Sequence, residues 1–119
     1  MFKKVLIFVM TTLAPLLAYG ETGYKKGTIE YIRVHDESIA SWEPPVFWFT
    51  LNGVTSAGSC PAWNGNVLFV ATSQYTYSLI MAAYMAGKEM ALGYDDTYKH
   101  ASSYCIVKHV TAGDPPPTF

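Results

Sequence analysis

Residues 66–94 read NVLFVATSQYTYSLIMAAYMAGKEMALGY, and this stretch decides the fold. The short apolar runs at 66–71 and 89–94 are bounded by turn residues, as strands are. Between them, over residues 72–86, the apolar residues recur at the helical period. This spacing predicts one helix, with a buried face formed by Tyr75, Leu79, Ala82, Ala83 and Ala86.

Both ends of this helix carry cap signals. The hydroxyl of Thr72 or Ser73 can accept a backbone N–H of the first turn. Gly87 can adopt the left-handed conformation that ends many helices. The three tyrosines at 75, 77 and 84 cannot share one helical face, so some are expected on the surface or in a subunit contact.

Two strands are predicted before this unit and one after it. Residues 27–34 (GTIEYIRV) follow a polar lead-in at 21–26, and their apolar face switches in mid-strand, which predicts a bulge. Residues 46–51 (VFWFTL) predict a strand buried on both faces. Residues 105–111 (CIVKHVT) predict the last strand.

Two Asn-Gly pairs mark turns. Asn52-Gly53 predicts a type I′ hairpin turn, since both central positions of that turn need positive φ. Asn64-Gly65 marks another turn. The sequence leaves open whether 54–60 and 66–71 form one interrupted strand or two.

The predicted order is three strands, one helix and two strands. A five-stranded Greek-key barrel with its helix between the third and fourth strands is the OB-fold. We therefore expect a mainly β protein with an OB-fold barrel, and a generic α+β domain is the alternative. Because proline cannot donate to a ladder, Pro115-Pro116-Pro117 ends the fold as a short tail.

The first twenty residues have the pattern of a cleaved secretory signal peptide. Lys3-Lys4 precedes an apolar run at 5–17, and Ala18-Tyr19-Gly20 is a small-x-small site before Glu21. The run is shorter than the about 20 residues that span a bilayer, so an uncleaved anchor is the lesser alternative. We expect a secreted or periplasmic protein with a single domain at 21–119.

Composition narrows the function. The chain has 119 residues, 14% of them charged and 15% aromatic, so it has room for one domain and ample apolar surface to bury. Its net charge is −1, and it has no stripe of lysine and arginine. Nucleic acid is therefore disfavoured as a partner.

Cys60 and Cys105 are the two cysteines of the chain. Oxidising compartments favour disulfides, so an exported chain with two cysteines most simply forms one bond between them. A cysteine-based metal site or a catalytic thiol is the alternative, and no Cys-x-x-Cys motif supports either.

No catalytic or metal motif stands out. His35-Asp36-Glu37 is the one dense cluster of titratable groups, and its neighbours indicate a solvated acidic turn. Asp95-Asp96 is typical of turn chemistry rather than of paired catalytic acids. His35, His100 and His109 lack metal-ligand spacing. We expect no enzyme activity, no metal and no cofactor.

Aromatic residues are the candidate ligand-binding groups. Their faces stack on sugar rings, and the polar tips of Tyr and Trp can bond hydroxyls. In OB-folds the first–second and fourth–fifth loops flank the ligand face. Those loops would be residues 35–45, carrying Trp42, and residues 95–104, carrying Tyr98.

Several short motifs resemble the OB-fold B subunits of bacterial AB5 toxins, of the subtilase-cytotoxin and typhoid-toxin type, or small exported relatives that share only this fold. They are a signal peptide, a glycine-started first strand (Gly27-Thr28-Ile29), Ser56-Ala57-Gly58-Ser59 before Cys60 with Trp63 after it, Ala86-Gly87-Lys88 ahead of Gly93-Tyr94, and a late Cys105. The similarity covers most of residues 24–110.

The resemblance implies a homo-oligomer, a pentamer in that family, that binds sialylated glycans and carries a partner A-type chain. Tyr94 matches the family's glycan-binding tyrosine by position. Lys26 stands where the family has a serine before the first-strand glycine, and the family's additional cysteines are absent. The alternative is a periplasmic OB-fold protein that binds other proteins or the cell envelope, with no glycan or toxin role.

Overall fold

The computed structural model describes residues 20–113, which form one helix and one mixed sheet of seven strands. Most of the predicted signal peptide and the Pro-rich tail lie outside these residues. The helix α1 spans Gln74–Ala86, and a single 3-10 turn lies at Ala40–Trp42. The strands are β1 (Thr22–Val34), β2 (Phe47–Leu51), β3 (Ala62–Trp63), β4 (Asn66–Ala71), β5 (Glu89–Asp95), β6 (Cys105–Ile106) and β7 (His109–Ala112).

The predicted mainly β class and element order are confirmed. Three principal strands precede α1, with the two-residue β3 as an addition. Two follow it, and the second of them is divided into β6 and β7. The hydrogen-bonded order is β3–β4–β2–β1–β5–β7, and all of these neighbours are antiparallel. The strand β6 pairs in parallel with β4, off this path.

The strand β1 holds the two halves of the sheet together. Its first part, from Thr22, pairs with β5, and its last part, to Val34, pairs with β2. The register shifts between Ile29 and Tyr31, which confirms the predicted bulge. The expectation of a polar lead-in at 21–26 is wrong, because most of these residues form the ladder with β5.

The predicted regular five-stranded barrel is not formed, because the last strand is divided. Phe69 and Val70 of β4 lie opposite Cys105 and Ile106 of β6, and only these two pairs form that ladder. After Val107, the chain leaves β4 and continues as β7 along β5. The sheet is therefore a path of strands rather than a closed cylinder.

The two Asn-Gly pairs behave differently. Asn64 and Gly65 both have positive φ, at 54° and 98°, as the type I′ turn between β3 and β4 requires. At Asn52-Gly53 only Gly53 has positive φ, so the predicted type I′ hairpin is wrong. Residues 54–60 form no returning strand, because Val54, Ala57 and Cys60 turn into the core.

The main core lies on the inner face of the sheet, under the helix. Phe47, Phe49 and Leu51 of β2 and Phe69 of β4 are fully buried there, together with Ile80 of α1. Burying a side chain of this size contributes about 1.5–3 kcal/mol. Every residue of β2 is buried, as expected from its apolar sequence.

The cap predictions for α1 are confirmed. The Ser73 hydroxyl accepts the N–H of Tyr75, and Gly87 ends the helix with a left-handed φ of 67°. The predicted buried face is wrong, except for Ala83. The core side is formed by Ile80 and Ala83, whereas Tyr75 is 90% exposed and Leu79 is 36% exposed. No charged residue occurs between Gln74 and Ala86, so charge does not mark an outer face of the helix.

The disulfide prediction is confirmed. Cys60 and Cys105 are bonded, with their Cα atoms 5.5 Å apart, and the bond ties the 54–60 segment to β6. Within residues 20–113, no helix has the length and hydropathy needed to cross a membrane.

Candidate binding surface

The two loops expected to flank a ligand face meet through aromatic rings. Trp42, in the loop after β1, contacts the imidazole of His100, in the loop after β5, with ring centroids 4.3 Å apart. His35 stacks on the same indole at 5.0 Å. The expectation that Trp42 and the 95–104 loop lie on one surface therefore has a geometric basis.

His100 fixes this contact by bridging both loops. Its Nε2 lies 2.6 Å from the carbonyl oxygen of Ser41 and must donate, because a carbonyl can only accept. Its Nδ1 then accepts the N–H of Ser102 and lies 2.7 Å from the Ser102 hydroxyl. The imidazole is thus held at both nitrogens. The His35 Nδ1 is buried and has no hydrogen-bond partner among residues 20–113.

The second loop is a small hairpin that presents Tyr98. The His100 N–H donates to the Tyr104 carbonyl, and the Ile106 N–H donates to the Tyr98 carbonyl. Tyr98 is 44% exposed, and the Lys108 ammonium lies 4.4 Å from its ring centroid. An exposed ring with a cation beside it is a suitable contact for a polar ligand.

A second aromatic group covers the outer face of the sheet, opposite the main core. Trp48, Leu68 and Val70 are buried on this face, and Trp42, Trp63 and Tyr104 pack against them. This packing makes Trp42 continuous with the sheet. We use the name outer aromatic face for the group formed by Tyr31, Arg33, Trp42, Trp48 and Trp63.

Arg33 lies over the two central indoles of the outer aromatic face. Its guanidinium carbon is 5.0 Å from the Trp48 ring centroid and 5.8 Å from that of Trp63. Tyr31 meets Trp63 edge-on at 5.9 Å. Beside Tyr31 in β1, the Glu30 carboxylate accepts hydrogen bonds from Thr50 and Asn66.

Sequence reasoning missed this face. The signal was present in VFWFTL, where Trp48 and Thr50 alternate with the core residues Phe47, Phe49 and Leu51. An apolar residue at every position hides that alternation. Trp63, which follows Cys60 closely in the sequence, lies on β3 and folds over β4.

Tyr94, the residue that matches the family's glycan-binding tyrosine, is buried. It is 2% exposed, and its hydroxyl donates to the Glu21 carboxylate at 3.1 Å. Burial, the hydrogen bond to Glu21 and the charges of Glu21 and Asp96 raise the pKa of Tyr94 to about 12. Its hydroxyl is therefore neutral and already engaged.

Lys26 and Tyr94 lie in the ladder between β1 and β5 and not in the loops. Lys26 is exposed on β1 opposite Ala91, and Tyr94 lies opposite Gly23 on the same ladder. Trp42 and Tyr98 lie on the loops. The four predicted ligand residues thus divide into a loop pair and a ladder pair.

The acidic clusters form turns. The Asp36 carboxylate accepts the N–H of Ser38, and Asp36 and Glu37 are exposed. The Asp95 carboxylate accepts both the N–H and the hydroxyl of Thr97, and these bonds lower the pKa of Asp95. Within the described residues, no three histidine, cysteine or acidic side chains converge as a metal site would require.

An apolar groove opens where the helix begins. Its volume is about 400 Å³, and its lining is Val34, Pro44, Pro45, Phe47, Gln74 and Tyr77. Among the described residues, its lining is apolar except for Gln74 and the Tyr77 hydroxyl.

No protein-family model, curated protein or solved structure matches this chain. The toxin-subunit resemblance therefore rests on the short motifs of the sequence.

Proposed function

We propose that this chain is an exported, non-catalytic binding protein of the OB type. It recognises carbohydrate through the loops at residues 35–45 and 95–104. The observation that carries the proposal is the Trp42–His100 contact, which joins the loops on the same side as the outer aromatic face. The corresponding strands and loops of OB-folds bind oligosaccharides and oligonucleotides.

The strand connections support the OB assignment. That fold is a five-stranded, partly open Greek-key barrel. Here residues 105–112 contact the third and the fourth principal strand in turn, β4 through β6 and β5 through β7. The Val107 N–H donates to Val70, and the Lys108 N–H donates to Gly93, so backbone bonds continue across the switch.

The chemistry of the surface favours sugars over nucleic acid. Tyr31 and Tyr98 are exposed, and aromatic rings with polar tips suit the alternating C–H and hydroxyl surfaces of sugars. Arg33 and Lys108 each lie over an aromatic ring rather than along a basic groove.

The toxin-subunit resemblance supports a glycan and a ring-forming homo-oligomer with an A-type partner chain. Lys26 departs from the family pattern, and Tyr94, which matches it by position, is buried and bonded to Glu21. We therefore place the ligand at the loops. The predicted signal peptide and the disulfide agree with export to a secreted or periplasmic location.

A glycan array with the mature chain (residues 21–119) tests this function. We expect binding to selected glycans, and we expect Tyr98→Ala to weaken it by about 10-fold, the usual cost of removing an aromatic anchor. Thr55→Ala is the control, because Thr55 is exposed and belongs neither to these loops nor to α1. An array without signal from the parent protein defeats the glycan proposal.

The second candidate is a periplasmic protein that binds proteins or the envelope. It is favoured by the apolar, uncharged outer side of α1, where Tyr75, Tyr84 and Met85 are exposed. Envelope proteins recovered on the immobilised mature chain, together with a silent glycan array, would favour this candidate. Recovery must then depend on the helix, so that Met85→Lys abolishes it.

A further inference from the structure

Glu21 forms hydrogen bonds to Tyr94 and Asp96 through its backbone N–H, its carbonyl and its carboxylate. Its N–H donates to Asp96 Oδ1 at 2.7 Å, and its carbonyl accepts the Asp96 N–H at 3.0 Å. Its carboxylate accepts the Tyr94 hydroxyl. The ladder between β1 and β5 begins at the next residue, Thr22.

The Asp96 carboxylate is a buried anion that is held by backbone N–H groups. It is 8% exposed, and its second oxygen accepts the Ser59 N–H at 2.7 Å. Among residues 20–113, Lys99 is the cation whose charge lowers the pKa of Asp96, and its effect is smaller than that of the backbone hydrogen bonds from Glu21 and Ser59. The charge of Glu21 lies nearby. A buried carboxylate of this kind is usually paired with a positive charge.

The predicted signal-peptide cleavage site lies at the Glu21 nitrogen, which donates to Asp96. The predicted signal peptide ends at Gly20, so a signal peptidase would hydrolyse the Gly20–Glu21 peptide bond. Water supplies the hydroxyl of the new Gly20 carboxyl group and a proton to the Glu21 nitrogen. With one further proton from solution, that nitrogen becomes an ammonium, because a free α-amine has a pKa of about 7.7–8.0.

We propose that processing between Gly20 and Glu21 creates an N-terminal ammonium that pairs with Asp96 and stabilises the mature fold. This inference rests on the proposed export of the chain. The nitrogen already lies at hydrogen-bond distance, so cleavage converts a neutral N–H donor into a charged one without moving the chain. Charge-assisted hydrogen bonds are about twice as strong as neutral ones.

The pair would join three segments of the mature chain. The ammonium begins β1, Asp96 follows β5, and Ser59 precedes the disulfide-bonded Cys60. The precursor has the same segments but lacks the positive charge. Processing would therefore act as a late stabilising step, after the leader has been removed.

Two forms of the protein isolate the effect of the ammonium. In the first form, a protease removes a fusion partner so that Glu21 is the N-terminal residue. The second form begins at Gly20, which places the ammonium one residue further from Asp96. We expect the Glu21 form to melt at a temperature higher by about 5 °C, the shift that 1 kcal/mol produces in a domain of this size. Asp96→Asn in both forms should remove the difference. Equal melting temperatures of the two parent forms overturn the proposal.

The reactivity of the α-amine gives a second test that does not depend on the Asp96 variant. In competitive acylation near neutral pH, the ion-paired amine of the Glu21 form should react about 10-fold more slowly than the amine of a peptide with the same first residues, as a pKa raised by one unit requires. Equal reactivity contradicts the ion pair.

Mass measurement of the N-terminus of the exported protein separates failure of the pair from failure of export. A first residue other than Glu21 overturns the processing step and leaves glycan binding open. A chain that keeps its leader inside the cell defeats the export part of the proposed function itself.

Discussion

Asp96 shows how one side chain can organise several segments. Its two oxygens accept backbone N–H groups of Glu21 and Ser59, and these bonds lower the pKa of Asp96 below its ordinary value of 3.8. Gly58 lies against this carboxylate, and a Cβ at that position would overlap it. The close approach of the 54–60 segment thus depends on a glycine beside an ionised aspartate.

We expect Asp96→Asn to lower the free energy of unfolding by about 1–3 kcal/mol at pH 7, because a buried bond to a charged group is lost. Since folding lowers the pKa of Asp96, its stabilisation is present above the unfolded-state pKa and is lost as pH falls through the folded-state pKa. Urea unfolding at pH 7 and below pH 4 measures both. Asp95→Asn is the control, and an equal loss in both variants at pH 7 would contradict the role of Asp96.

The residue scale also shows where sequence reasoning fails. Trp42 and Tyr98 were expected in loops, because polar and Pro-containing stretches surround them, and they are found there. Tyr94 lies near the end of β5, and its burial comes from its place in the main core, where it contacts the Phe69 ring, and from its hydrogen bond to Glu21. Its buried position therefore depends on residues that are distant in the sequence.

At the scale of elements, the helix separates what local sequence specifies from what packing specifies. Ser73 and Gly87 act through bonds within a few residues, so the helix ends are predictable. The buried side is chosen by contacts with the sheet. Because α1 has no charged residue, both Leu79 and Ile80 satisfy an apolar pattern, and only the tertiary structure places Ile80 inside.

We expect Ile80→Ala to destabilise the fold by about 2–5 kcal/mol, since it leaves a cavity in a packed core. Leu79→Ala should cost less than about 1 kcal/mol, as surface substitutions do. Urea unfolding of both variants gives the comparison. A larger loss for Leu79→Ala would mean that the other side of the helix faces the core.

The strands show the same division. Their positions follow from apolar runs and turn residues, and β2 and β4 lie within a residue of expectation. The length of β1 does not follow from the sequence pattern. Lys25 and Lys26 are polar, and they join the sheet only through their partners on β5. The break between β6 and β7 likewise depends on which neighbouring edge each segment meets.

For the whole molecule, the disulfide is the main long-range covalent link. Cys60 and Cys105 are 45 residues apart in sequence, and closing a loop of that length contributes about 4 kcal/mol in the chain-entropy model. The bond was predictable from compartment and cysteine number alone.

We expect reduction of the disulfide to lower the free energy of unfolding by about 4 kcal/mol, because the unfolded chain gains conformational freedom. Urea unfolding with and without a reductant at pH 7 measures this change. Cys60→Ala with Cys105→Ala should behave like the reduced protein, and a stability unchanged by reduction would contradict the prediction.

The proposed homo-oligomer makes a prediction for native mass. We expect the mature chain to have five times the mass of one copy, as the toxin-subunit resemblance implies, with the exposed apolar side of α1 in the contact. Tyr75→Lys combined with Met85→Lys should reduce the mass to that of one copy without loss of helical circular dichroism. Tyr98→Ala should keep the parent mass, and a parent protein of single-copy mass contradicts the ring.

The ring contact between Trp42 and His100 has a consequence for recognition. The two loops lie 58 positions apart along the chain, yet they are already assembled before any ligand arrives. A ligand of the proposed binding function would therefore meet a pre-organised platform, and the conformational entropy of ordering the loops would be lost during folding rather than during association. Loosening this contact should weaken affinity mainly through faster dissociation, even where no ligand atom touches either ring.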